Sequence, residues 1–379
     1  TTVTATGSVS VTGVGGVSGA ISTSTAKSDA VAIDMGAGED EIVNNGMIDA
    51  SAFANADGLN VAVTGVGGVS VAGNNVWDGG TLAEAKAAGI DGGDGEARIT
   101  NTNRVTAASD AVSVAASLSY VTFGVPLAIS TSTADAGAAA IRSGDEDDVL
   151  VNSGVLTADS DATAVTVNVA VTGAGVAGAG DSVWDGGTKA LANSVGIDAR
   201  SGKDRIHNTG TIDVDADAVT SSNSVAFTVA GVAGAVSTST ATADAKAITG
   251  GDGDDILHND GALDSTADAT AVSVSFAASG AGVAIAADSV WDGGTTAQAD
   301  AAGLDGGQGN DSIQNTATVS ANAYSTASSN SVAMTVAGVS GATSTATSTA
   351  VAAAIDAGAG DDVVRNDGGL SSIADAGAT

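Results

Sequence analysis

The sequence predicts an all-β solenoid, a parallel β-helix-like rod. Three observations carry this: a repeat of fixed length, period-two alternation of small apolar with polar residues, and recurring turns rich in Gly and Asp. The string VWDGGT occurs three times and places Trp77, Trp184 and Trp291 at intervals of 107 residues. Inside each repeat a Gly/Asp turn is followed by an aliphatic residue, any residue, and Asn. Those asparagines are Asn44, Asn101, Asn152, Asn208, Asn259, Asn315 and Asn366, at spacings of 57, 51, 56, 51, 56 and 51. The chain therefore reads as one continuous array over residues 1–379, with two half-units per repeat bounded near these asparagines. Its length, about 3.5 repeats, suggests a segment of a longer array or a repetitive subunit. At two or three coils per half-unit and about 4.8 Å per coil, seven half-units make a rod on the order of 70 to 100 Å long.

Between the turns, alternation predicts half-buried strands. Ala241, Ala243, Ala245 and Ala247 share one face, with Thr242, Asp244 and Lys246 on the other. Residues 81–89, TLAEAKAAG, also fit a short helix with a Thr cap and a Gly stop. The equivalent copies at 188–196 and 295–303 keep the alternation but lose helix formers, which favours strand. No long helical pattern recurs between strands, so a doubly wound α/β sheet is not supported. The recurring Asn is expected to point inward at one azimuth and bond to buried backbone or to its own copies; a surface Asn suited to a turn is the alternative. Residues 61–71, 165–179, 225–236 and 272–286 are apolar on both strand faces and need two covers, from the same chain or from a second one. Gly-Val-Ala-Gly at 231–234 reads as the tip of a projecting hairpin.

Composition narrows the function. With 44 Asp+Glu against 11 Lys+Arg, the net charge is −33, leaving no cationic stripe for nucleic acid or an anionic membrane surface. Uncharged stretches alternate Ser, Thr and Gly, which suits neither a membrane helix nor, with nine aromatics, the girdles of a lipid-spanning barrel. The 53 glycines and the scarcity of bulky residues fit a narrow interior filled by Ala and Val. There are no cysteines, so disulfides and thiolate metal sites are absent. The two histidines, His207 and His258, fall at one variable repeat position and read as a solvated strand face, leaving little material for zinc or Ser-His-Asp catalysis. Thr1-Thr2-Val3-Thr4 shows no export signal, so one has been removed or lies outside this stretch.

The turn before each Asn is the motif that points to chemistry. Residues 250–257, GGDGDDIL, and 306–313, GGQGNDSI, fit GGxGxDxU, where U is a large aliphatic residue. These turns resemble the haemolysin-type calcium-binding repeats of secreted bacterial proteins. In that family Gly permits the tight turn, Asp supplies hard oxygens, and the aliphatic residue anchors the next strand. Carried over residue by residue, the resemblance makes Asp255 and Asp311 calcium ligands and Leu257 and Ile313 anchors. Looser turns add Asp40, Asp148, Asp204 and Asp362 as ligands, with Asp252 offered by the first turn. Glu146 replaces a turn glycine, Lys203 intrudes in another turn, and Ala97 stands where a ligand is expected, beside Asp91, Asp94 and Glu96. The family sets its turns in tandem nonapeptides, whereas these lie more than fifty residues apart. Bound Ca²⁺ would also relieve the self-repulsion of so acidic a chain.

A longer pattern, AxAxAI(D)xGxGDDxUxNxGxUxAxAxA, appears at residues 245–269 and 350–376. It resembles the β-helical regions of large bacterial surface exoproteins and adhesins, which implies secretion and a place at the cell exterior. The resulting expectation is a non-enzymatic extracellular structural protein, an adhesin stalk, surface layer or fibre subunit stabilised by Ca²⁺. Its expected partners are further copies in fibres or bundles, or a cell-surface or glycan target. A β-helical polysaccharide enzyme is the second reading; it needs one unique cluster, whereas paired acids such as Asp254 and Asp255 recur. The third is an ice or crystal binder, suggested by the Ser-Thr tracts at 22–25, 130–133 and 237–240. The three Trp are expected to be anchors beside turns such as Asp78-Gly79-Gly80 rather than a glycan-stacking platform.

Overall fold

The computed structural model describes residues 1–74, 80–181, 187–288 and 294–379. Trp77, Trp184 and Trp291, with Asp78 and Gly79, lie outside the described residues. Among those described, every named element is a β-strand, and the strands form three parallel sheets of eight, seven and seven members. The first sheet holds the long strands, such as Val155–Gly180, Thr211–Val236 and Leu263–Ala287. The second holds strands of medium length, such as Thr188–Asp198 and Ser239–Thr249. The third holds the short ones, such as Arg205–Asn208 and Ile256–Asn259. Each winding visits the three in turn, so the fold is the expected solenoid. Residues 81–89 lie in a strand, Thr81–Asp91, and not in a helix.

The pitch differs from the sequence expectation. Asn208 pairs with Asn152 on one side and Asn259 on the other, so each half-unit is one winding rather than two or three. Seven stacked windings rise about 30 to 35 Å, less than half the expected length. The reason is strand length. A 26-residue strand such as Thr211–Val236 is several times the usual size, and one broad winding consumes the whole half-unit.

Such a strand would reach about 85 Å if straight, more than its 11- and 4-residue companions could close against. It folds back on itself instead. The bend falls on a row of stacked glycines, Gly124, Gly175, Gly231, Gly282 and Gly338, with φ between +134° and +148°. Ser224 Oγ then donates to Val236 O at 2.7 Å, and Ser275 Oγ to Ala287 O at 2.6 Å, across the fold. Gly231 thus marks the hairpin tip foreseen at 231–234. The glycine is required there: a Cβ on Gly231 would lie 1.9 Å from Gly175 O, at φ +134°. Gly231→Ala should cost about 1 to 3 kcal/mol, read as a lowered denaturation midpoint, whereas Gly234→Ala, whose Cβ meets nothing closer than 4.0 Å, should cost less.

Two cores result. In the main one, alanines stack winding on winding, as Ala111, Ala162, Ala218 and Ala269 do. Aliphatic ladders close its narrow end: Ile99, Leu150, Ile206, Leu257 and Ile313 in the third sheet face Leu156, Ile212 and Leu263 of the first. The second core lies inside the folded-back fin and is all alanine, including Ala170, Ala226, Ala233 and Ala277. The doubly apolar segments are therefore covered on one face by their own chain. A buried polar layer separates the cores, where Asp181 accepts from Asn168 Nδ2, Ser222 Oγ and Thr238 N. Burial pushes the Asp181 carboxyl up to about 7 against these donors. The Ser-Thr tracts fill tight corners on alternate windings, with Ser24, Ser130, Ser132, Ser237 and Ser239 buried, so they form no flat outward array.

Candidate functional site

With one winding per half-unit, turns more than fifty residues apart in sequence become direct neighbours. Ser201, Asp252, Gln308 and Ala359 bridge in succession through their backbones. The turn glycines adopt the left-handed conformations expected, Gly251 at φ +91° and Gly253 at +143°. In the next turn back, Arg200 occupies the place of Gly251 at φ +66°.

The aspartate that ends each turn immediately precedes a third-sheet strand, two residues before the buried Leu150, Ile206, Leu257 or Ile313. By strand parity it faces inward with that residue. Asp148, Asp204, Asp255 and Asp311 are accordingly at most 2% exposed. They form a ladder in which each Oδ1 accepts the backbone N–H of the preceding winding. Ala97 N donates to Asp148 at 2.6 Å, and Asp148 N to Asp204, Asp204 N to Asp255 and Asp255 N to Asp311, each at 2.8 Å. Asp311 N donates to Asp362 at 2.9 Å. Asp40 holds the same azimuth, but Ala97, its partner in the pairing, interrupts the carboxylates between it and Asp148. Six of the seven expected ligands thus lie on one line. The seventh, Asp252, lies within the turn itself, before Gly253 at φ +143°, and is exposed. Adjacent Asp254 also faces solvent, where Lys203 and Asn310 hold its carboxyl down at about 2.

The second oxygen of these carboxylates is the chemically open one. Oδ2 of Asp40, Asp148, Asp204, Asp255 and Asp311 is buried without a hydrogen-bond partner. Burial, reinforced by the stacked neighbouring acids, pushes Asp204 up to about 8 and Asp255 up to about 6; Asp148 and Asp311 are also raised by burial. A buried row of carboxylate oxygens lacking donors is satisfied by protons or by hard cations. These donors are the hard anionic oxygens that calcium takes, but among the described residues no three of these carboxylates converge on one point.

Beside it runs the asparagine ladder. Nδ2 of Asn44, Asn101, Asn152, Asn208, Asn259 and Asn315 each donates to Oδ1 of the next Asn at 2.7 to 2.8 Å. From Asn101 to Asn315 the same Nδ2 also donates to the carbonyl two residues on, as Asn208 does to Gly210 O. Asn101 to Asn315 in this row are fully buried, as the inward reading of these residues expects.

A second acidic array went unread in the sequence. On the outer face of the first sheet, Asp110, Asp161, Asp217 and Asp268 are stacked partners, and so are Asp159 with Asp215 and Asp213 with Asp264. Partial burial, then the neighbouring carboxylates, raises Asp215 and Asp217 to about 6. Its signal was the placing of Asp at alternate positions, as in DVDAD at 213–217.

No protein-family model, curated protein or solved structure matches the chain.

Proposed function

We propose that the chain is a non-enzymatic structural segment of a bacterial surface protein, a solenoid rod whose acidic turns bind Ca²⁺ and whose fin packs against further copies. The observation that carries this reading is the repetition of the same ladders from winding to winding. The aliphatic and asparagine rows run the length of the stack and the aspartate row runs unbroken from Asp148 to Asp362, so the chemistry is distributed along an axis rather than gathered at one point. An array of that kind resists bending and shear, because each winding satisfies the backbone and side chains of the next. Calcium on the Oδ2 row would cancel like charges that otherwise oppose compaction. Placement at the cell exterior, where the resemblance to exoproteins points, supplies that ion freely.

Contact with further copies rests on the outer wall of the fin. There Leu118, Val169, Val225, Phe276 and Val332 stack in one column, and Tyr120, Val171, Phe227 and Met334 share the next. Several stay well exposed, Phe227 by 43% and Met334 by 54%. A broad apolar sheet face of this kind marks a contact surface. In sedimentation velocity with millimolar Ca²⁺ the chain should associate as its concentration rises, and Phe227→Asp with Met334→Asp should return it to monomer. A strictly monomeric species at high concentration would remove the fin from the proposal. Cleavage of an acidic polysaccharide by the purified chain would replace the structural reading with an enzymatic one.

A further inference from the structure

The chain's only histidines, His207 and His258, are partners across the parallel ladder of the third sheet. Both project from its outer face, as the sequence reading expects, but they do not stand alone there. Nε2 of each approaches the same atom, Asp260 Oδ2, at 3.4 Å from His207 and 2.9 Å from His258. All three ligand atoms lie within 4.8 Å of one another. The rings meet edge to face with centroids 4.9 Å apart. On the far side of the carboxylate, Thr316 Oγ1 donates to Asp260 Oδ1 at 2.6 Å and holds Oδ2 toward the rings.

These separations suit a metal ion. Donors at about 2.0 to 2.1 Å from a tetrahedral ion lie roughly 3.3 Å from each other, and the two N···O edges already bracket that value. Closing the remaining N···N edge takes only side-chain rotation at an exposed face. Elsewhere at this azimuth the ring positions carry Thr100, Val151, Gln314 and Arg365. At the Arg365 level, one guanidinium pairs with one acid, Asp367, at 2.9 Å. At the histidine level, two imidazoles converge on a single oxygen. The cluster is thus a local departure from the repeat.

We propose that His207, His258 and Asp260 form a binding site for a borderline divalent transition metal of the Zn²⁺ class, with water completing the shell. Imidazole nitrogens select such ions over calcium or magnesium, so this site is chemically separate from the oxygen-only turn ladder. The two histidines sit on successive windings, so the ion bridges them on the outside of the rod. Thr316, from the following winding, acts as a positioning residue through the carboxylate.

The test uses the full chain stripped by chelator and then titrated with ZnCl₂ in excess CaCl₂, by calorimetry. One equivalent should bind with micromolar affinity, unaffected by Ca²⁺. Co²⁺ in its place should give the visible absorption of a four-coordinate site with nitrogen ligands. His207→Ala and His258→Ala should each weaken Zn²⁺ binding by about 100-fold or more, and Thr316→Ala by about 10-fold. All three positions are solvent-facing, so thermal melting without metal should match the parent and certify folding. The proposal fails if zinc binds equally well to both histidine variants, which would locate it on carboxylates elsewhere, or if binding does not saturate below millimolar concentration.

Discussion

Freed of divalent cations, the chain should melt at a higher temperature at pH 5 than at pH 8.5, by on the order of 5 to 10 °C. The direction follows from the Oδ2 row. Asp204 titrates in the fold at about 8 and Asp255 at about 6, both above the value of about 3.9 for an unfolded chain. Between those limits the folded state holds protons that the unfolded state has released. Their contribution is therefore complete below about pH 4 and is lost as the pH rises through 6 and then 8. General charge repulsion at −33 acts in the same direction. Replacing Asp204 and Asp255 together by Asn separates the two effects, because it should flatten the profile while leaving most of the net charge in place. Under the proposed calcium binding, the ion would compete with the proton for the same oxygen, so millimolar CaCl₂ should raise the melting temperature by several degrees at pH 8.5 and by little at pH 5. If calcium leaves the melting temperature unchanged at both pH values, the turns are corners and nothing more. A flat pH profile for the parent chain would show instead that these carboxylates stay ionised and hydrated.

Strand parity explains much of what could be read beforehand. Ile206 is an obvious core residue, so Asp204 and Asn208, each two positions away, must face inward with it; both do, at 2% and 0% exposure. The rule does not reach Asp252, which lies in the turn before Gly253 at φ +143° and is exposed. Seven asparagines at alternating intervals also fixed the number of half-units. The number of windings per half-unit was not legible, because alternation continues unbroken through the bend at Gly231 and a 26-residue strand resembles two ordinary ones. That single missing quantity hid the rest. With several windings per half-unit, Asp204 and Asp255 lie far apart and complete no common site. With one, they are hydrogen-bonded at 2.8 Å. His207 and His258 are affected in the same way: each is a solvated side chain by pattern, and only the true pitch brings both onto Asp260.

Asn208→Leu should destabilise the fold by about 3 to 5 kcal/mol, whereas Asn366→Leu should cost under about 1 kcal/mol. Leucine matches asparagine closely in shape, so the difference measures hydrogen bonding rather than a cavity. Asn208 accepts from Asn152 Nδ2 at 2.7 Å and donates to Asn259 Oδ1 at 2.8 Å and to Gly210 O at 3.0 Å. Removing it leaves a buried donor above, a buried acceptor below and a bare carbonyl, in a place that water cannot reach. Each orphan costs about 1 to 3 kcal/mol, more than the net value of any bond it made. Asn366 accepts from Asn315 in the same manner but is exposed, so water replaces what the variant removes. The comparison is made by urea denaturation of the two variants side by side. Equal and small losses would mean that the interior row adjusts winding by winding, and the ladder would then contribute order along the axis without holding the windings together.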